Sequence, residues 1–195
     1  MSSTAAKSAR DICSREFLLI SADQLTSFDD GTTEALVSVN MYEDVARASL
    51  VNARWRFTTN QAVLNRLSDA PTGRYSQAYQ QPTGTLMVHA VTVEDMPIEY
   101  QIYGDKIYAD TSATQTLVAD YTYRANEQDW PSYFTLAVEY ALATLFATSI
   151  ARDASLASLM KQAATEAMAK ARSLDAQQQT TRKLTTSRFI TDRRS

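Results

Sequence analysis

The stretch Trp130 to Asp175, WPSYFTLAVEYALATLFATSIARDASLASLMKQAATEAMAKARSLD, constrains the fold more than any other part of the chain, because its alanine-rich pattern suits a pair of packed helices. Pro131 fits a first helical position, where a missing N–H costs nothing, with Asp129 or Trp130 outside the helix as the cap. A helix over 131–151 is predicted. Leu156, Leu159, Ala163, Ala167, Ala171 and Leu174 then recur at three- and four-residue steps among Lys161, Glu166, Lys170 and Arg172, which predicts a second, amphipathic helix over 153–176. Tyr133 to Ala151 is apolar enough to raise the question of a membrane span. Glu139 near its middle, diluted further by Thr135, Thr144, Thr148 and Ser149, predicts instead a helix buried among its neighbours.

Upstream the order is helices, then strands. Residues 4–20 mix alanines, Ile12, Phe17, Leu18 and Leu19 with charges, as a first helix does. Asp30-Gly31-Thr32-Thr33-Glu34 supplies caps before Ala35, Leu36, Val39, Val45, Ala46 and Leu50, spaced for a second helix over 32–52. Turn signals at Ala70-Pro71-Thr72-Gly73 and Gln81-Pro82-Thr83-Gly84 mark a change of period from 3.6 to 2. Gly104-Asp105 then predicts a hairpin, since glycine takes the positive φ of a two-residue turn and Asp tolerates it. That loop sets Ile102 opposite Ile107, Tyr100 opposite Ala109 and Tyr103 opposite Lys106, so Ile98, Tyr100, Ile102 and Ile107 share a face. Leu86–Val93 and Gln115–Tyr123 alternate similarly, giving an antiparallel sheet of about four strands inserted over 85–124. The predicted fold class is α+β, mainly α: a helical bundle with an inserted small antiparallel β-sheet, one domain over 1–181, and an extended C-terminal tail over 182–195.

Composition narrows the chemistry. At 195 residues and 45% hydrophobic content, one domain buries roughly 70% of its unfolded surface and needs no staples. Cys13 is the single cysteine and His89 the single histidine, so no internal disulfide or Cys/His zinc site is available. The N-terminal run MSSTAAKSARDICSREFLL lacks a signal peptide's apolar core, and cytoplasmic synthesis without export is expected. A Cys13–His89 catalytic pair would have to join two distant elements, and Gly31, Gly73, Gly84 and Gly104 each sit alone rather than in a phosphate loop. Asp29-Asp30 and Glu94-Asp95 read as solvated loops or caps rather than cation ligands. No enzyme activity, metal or cofactor is expected. Of the ten tyrosines, Tyr100 and Tyr121 are expected in the core and others at interfaces, where an apolar ring with a polar tip fits, while Trp55 and Trp130 read as core.

Charge separates body from tail. Arg182, Lys183, Arg188, Arg193 and Arg194 against Asp192 give 182–195 a net +4, which leaves −7 for the rest of a chain whose total is −3. Leu184, Phe189 and Ile190 interleave with those charges, so the segment can order on an acidic groove of a partner. Arg182, Lys183, Leu184, Arg188, Phe189, Ile190, Arg193 and Arg194 are the candidate partner-binding residues. Phosphate neutralisation by the same cations is the rival use, a stand-alone nucleic-acid-binding module, and the acidic body argues against it. A hydrolase with a Cys13 nucleophile is a third reading.

The Trp130–Asp175 stretch resembles the tail tubular protein A family, the head-to-tail adaptors of short-tailed bacteriophages and some long-tailed relatives. The resemblance continues, in the family's order, through FDDGTTEALVSVNMYEDVARASLVNARWRFTTNQAVL (Phe28–Leu64), YSQAYQQPTGTLMV (Tyr75–Val88), IEYQIYGDKIYAD (Ile98–Asp110) and VADYTYRANEQDWPSYF (Val118–Phe134). Nearly the whole chain is covered, and the departures lie at the ends, where the first ten residues and Gln177–Ser195 match no fixed pattern of the family. The resemblance implies a structural virion protein: a homo-oligomeric ring, twelve copies by family analogy, between the portal protein and the tail or nozzle protein. It implies location at the head-to-tail junction, assembly in the host cytoplasm, and an axial channel through which genomic DNA passes without sequence-specific binding. An acidic body suits such a channel, because like charge weakens phosphate contact.

Overall fold

Ser8, Thr32 and Asp153 each place a side-chain oxygen on the first free N–H groups of a helix, and these caps set three of the four helical starts in the computed structural model, which describes residues 8–178 apart from 23, 69, 70 and 72. The helices are α1 (Ala9–Leu19), α2 (Thr33–Val51), α3 (Ser132–Ser149) and α4 (Ala154–Gln177). Residues 4–7 of the first predicted helix lie outside the described residues, as does the tail over 182–195. Pro131 is the N-cap of α3 rather than its first residue. Its φ of −62° and ψ of 146° are extended, and its carbonyl accepts from Phe134 and Thr135 N–H at 2.9 and 3.0 Å. Among the described residues no helix is long and apolar enough to cross a membrane.

Apolar residues do not all face inward as their spacing suggested. Leu159 on α4 is 59% exposed, and the inner side of that helix carries Ala157, Ala171 and Asp175 instead. Leu36 and Val39 on α2 also face solvent, while Ala35, Ser38, Tyr42, Ala46, Ser49 and Leu50 point in. Ala35, Ala46, Ala157 and Ala171 take inner positions on α2 and α4, while Leu36, Val39 and Leu159 remain outside. Phe17 of α1 stacks on Phe146 of α3 with ring centroids 4.9 Å apart.

The prediction of a mainly helical bundle with one small inserted sheet is overturned. The described residues hold seven strands in two antiparallel sheets, so the fold is mixed α and β. β1 (Thr59–Val63), β7 (Leu117–Tyr123), β3 (Thr85–Val93) and β4 (Met96–Pro97) form the first sheet in that order. β2 (Gln77–Gln80), β6 (Lys106–Ala109) and β5 (Tyr100–Tyr103) form the second. β1 and β2 precede the predicted insertion at 85. Their sequences, TNQAV and QAYQ, carry too little apolar alternation to read as strands, and pairing with β7 and β6 extends them. The two sheets enclose their own core, including Leu64, Tyr79, Val91, Ile107, Leu117 and Ala119. The β5–β6 hairpin pairs Tyr100 with Ala109, Ile102 with Ile107 and Tyr103 with Lys106. Ile107 is fully buried but Ile102 is 40% exposed, because β5 is an edge strand.

Gly104 has φ +63° and its Cβ position is open, so substitution there meets backbone strain alone. Gly104→Val is expected to cost about 1–3 kcal/mol, measured by thermal or urea unfolding. The β3–β4 turn is the converse case, for Glu94 and Asp95 hold φ of 49° and 63°, the left-handed pair of a type I′ turn, without glycine. Replacing Glu94-Asp95 by Asn-Gly is expected to raise unfolding stability by about 1 kcal/mol.

Candidate partner-binding surface

The candidate residues Arg182, Lys183, Leu184, Arg188, Phe189, Ile190, Arg193 and Arg194 all lie outside the described residues. What precedes them is firmly held. Near the end of α4, the carboxylate of Asp175 accepts from the Arg56 backbone N–H (3.1 Å to Oδ2) and from the Tyr133 hydroxyl (2.9 Å to Oδ1). Arg56 Nε donates in turn to the Asp175 carbonyl at 3.1 Å, and Gln178 Nε2 donates to the Tyr133 oxygen at 3.1 Å. One turn earlier, Arg172 Nη2 donates to the Asn52 side chain. Burial and the Asp175 hydrogen bond push the Tyr133 hydroxyl up to about 12. The last helix is thereby fixed to the turn after α2 and to the start of α3. Asp175 stands four residues after Ala171 on the buried side of α4, and an acid on an apolar stripe is a sequence signal that could have marked it.

A groove of about 680 Å³ runs between α2, α3 and α4. Val45, Ala48, Ala141, Leu145, Ala164 and Met168 line it, with Lys161 and Arg172 among its polar residues. Alanine-rich helix faces leave this space between the backbones.

The residues weighed for catalysis are not brought together. Cys13 is fully buried in the helical core, and burial, reinforced by Glu16, pushes its thiol up to about 12. His89 lies on β3, its Nε2 2.7 Å from Thr122 Oγ1 on β7. Desolvation and Arg54 lower its pKa against the opposing pull of Asp120. Asp30 Oδ2 accepts the Ser27 N–H at 2.7 Å, in the loop that leads into α2. Among the described residues, no three His, Cys, Asp or Glu side chains are grouped to hold a metal ion.

Two charge clusters were not legible as such. In the first, Arg124 at the end of β7 donates to Glu43 on α2 (Nε to Oε1 3.1 Å, Nη2 to Oε2 2.9 Å) and to Glu127 (2.6 Å), and its guanidinium stands 5.4 Å from the Trp130 ring centroid. The Tyr42 hydroxyl adds a hydrogen bond to Glu127 at 3.0 Å. Hydrogen bonding from Arg124 lowers Glu43; burial acts upward on Glu127, but Arg124 holds it below the ordinary carboxylate range. The second cluster has the opposite sense. Glu16 on α1 is fully buried with neither carboxylate oxygen hydrogen-bonded, and Arg15 Nη1 stands 3.5 Å from Glu139 Oε1 on α3. Burial, followed by the Glu139 charge, raises Glu16 well above its usual value, and burial raises Glu139 despite Arg15. Glu16 follows Ile12 by four residues, again an acid on an apolar stripe.

No protein-family model matches the chain, and no curated protein matches it.

An acid whose folded-state pKa is raised folds best when protonated, so its burial costs least below pH 4.5 and destabilises progressively as pH rises through the raised value. Glu16→Leu is therefore expected to stabilise at pH 7 by about 1–3 kcal/mol, raising Tm by about 2–10 °C. The difference in Tm from the parent, followed by circular dichroism, is expected to narrow as pH is lowered to about 4.

Proposed function

We propose that this chain is a structural head-to-tail adaptor of a bacteriophage, assembling as a ring between the portal protein and the tail or nozzle protein. The observation that carries the reading is the ordered resemblance of five segments, Phe28–Leu64, Tyr75–Val88, Ile98–Asp110, Val118–Phe134 and Trp130–Asp175, to the tail tubular protein A family. In this reading the ring has twelve copies by family analogy, assembles in the host cytoplasm, and stands in the virion at the head-to-tail junction. Genomic DNA passes through its channel. The net charge of −7 outside 182–195 supports passage without grip on a polyanion.

The anchoring of α4 supports the part given to the tail. Asp175 ties the end of α4 to Arg56 and Tyr133, so the last described turn before that segment is held to the body. We assign partner binding to that segment: Phe189 and Ile190 enter an apolar notch while Arg188, Arg193 and Arg194 pair with acidic groups around it, arginine being favoured for its planar multi-donor head. No catalytic step is assigned to the protein. A thiol pushed up to about 12 is a poor nucleophile near neutral pH and does not support the hydrolase reading.

Electron microscopy of the protein mixed with its cognate portal is expected to show rings seated on the portal. Removal of residues 182–195 is expected to leave thermal unfolding unchanged and to weaken portal binding at least about tenfold, an effect partly mimicked by raised salt. Unchanged portal affinity after truncation would sink the assignment of the tail. The nucleic-acid reading predicts instead that the full chain binds duplex DNA with a steep inverse dependence on salt, and that truncation abolishes this binding.

A further inference from the structure

α1 is the shortest of the four helices, 11 residues where the others have 18 to 24. A helix of that length is marginal in water by itself, so α1 depends on what it packs against. Its principal neighbour is α3 and α2 is a lesser one. Ile12, Cys13 and Phe17 are fully buried in that seat, where Phe17 stacks on Phe146 of α3, while Leu18 and Leu19 on the outer side are exposed. The chain leaves the helix through Ser21, whose φ of 56° is left-handed, with the Ala22 N–H closing on the Phe17 carbonyl at 2.8 Å. Such a joint favours glycine, so with serine there it is strained for as long as the helix is seated.

Within this apolar seat stands a carboxyl group. Glu16 follows Ile12 by four residues and Cys13 by three, is fully buried, and has neither oxygen hydrogen-bonded. The titratable groups around it come from three helices. α3 contributes Glu139, whose Oε1 is also without a hydrogen bond although Arg15 Nη1 of α1 stands 3.5 Å away. α1 itself adds the Cys13 thiol, on which Glu16 acts. α2 brings Tyr42, whose hydroxyl is committed to Glu127 at 3.0 Å. The charge that reaches Glu16 from across the interface is therefore the like charge of Glu139, and together with burial it holds Glu16 well above its usual value. An ionised carboxylate in this seat has neither water nor a donor, which is costly. Moving α1 alone would hydrate it and leave the packing of α3 on α4 and the strand pairings in place.

We propose that α1 is a pH-dependent latch, which stays closed on α3 while Glu16 carries its proton and opens, ahead of the rest of the fold, as that proton is lost. In the open form Glu16 meets water and ionises near the ordinary carboxylate value of about 4.3, so the open form gives up its proton first. Closure is strongest below that pH. It weakens by up to about tenfold per pH unit as pH rises toward the raised value of the closed form, and levels off beyond it. The strained joint at Ser21 is the hinge, and opening bares Phe146 together with the inner side of α1. The pH thereby sets how often this apolar face is presented. The inference rests on the seat of α1 and stands apart from the adaptor reading.

Cys13 reports the opening, because it is the single thiol of the chain, is fully buried, and is pushed up to about 12 in the closed form. A pyridyl disulfide reaches it only when α1 has left its seat. The full chain is labelled between about pH 5 and about pH 7, and each rate is divided by that of the same chain unfolded in urea at the same pH, which removes the thiol's own ionisation. In the parent this quotient is expected to rise several-fold, and at most about tenfold, per pH unit. Glu16→Gln is expected to lose most of the rise, and Glu16→Met serves in its place if the glutamine variant is open at every pH. Small additions of urea are expected to speed labelling far less steeply than they promote global unfolding, since only one short helix and its seat are exposed. The proposal is overturned if the parent quotient does not change with pH, or if both Glu16 variants keep the parent's rise. It is also overturned if labelling has the urea dependence of global unfolding, which would make Cys13 accessible only through the unfolded chain.

Discussion

The ring of Phe134 is where the helical and β parts of this protein meet. Its centroid lies 5.1 Å from Trp55, 4.9 Å from Phe57 and 5.0 Å from Trp130, and these partners occupy the two passages of the chain between helices and sheets. Trp55 and Phe57 stand between α2 and β1, Trp130 between β7 and α3. Each indole is satisfied locally, Trp55 Nε1 by the Ser49 carbonyl at 2.9 Å and Trp130 Nε1 by the Ala125 carbonyl at 3.1 Å, so the rings are buried without a polar penalty. Arg124 packs over Trp130 and reaches Glu43 on α2, and Asp175 brings in α4 through Arg56. Both passages, and through them the first sheet, are held to one aromatic centre.

The acids set among the helices divide by what faces them. Glu43 and Glu127 meet a guanidinium and are held low, so their contribution is present above the ordinary carboxylate pKa and is lost as pH falls through their lowered values. Glu16 lies among apolar helix faces with the Glu139 charge acting on it, and burial raises both acids although Arg15 stands by Glu139. A neutral Glu16 tolerates its position far better than an ionised one. The two groups bend the stability profile in opposite directions, one on the acid limb and one toward neutrality.

The outer surface distributes contact opportunities by element type. The second sheet ends on the uncharged strand β5, the helices leave an alanine-lined groove, and the end of α4 is fixed to the body by Asp175. Lys161 and Arg172 among the groove residues would oppose a basic tail, which makes an acidic surface on another molecule the better electrostatic partner for 182–195.

Local chemistry in the sequence determined the parts whose causes are local. Side-chain caps at Thr32 and Asp153 start α2 and α4, Gly104 closes its hairpin with positive φ, and the two-residue turn dictates the pairing of Ile102 with Ile107. Trp55 and Trp130 were legible as core from their size and apolar neighbours. Tertiary structure alone decided the rest. TNQAV and QAYQ became strands because β7 and β6 offered them unpaired backbone, a force that no residue in those segments encodes. Leu159, Leu36 and Val39 face outward because periodicity names an apolar stripe but not the depth at which a neighbouring helix meets it. Arg124 found Glu43 across 81 residues, and Glu16 came under the charge of Glu139 on another helix, through an arrangement that exists only once the chain has folded.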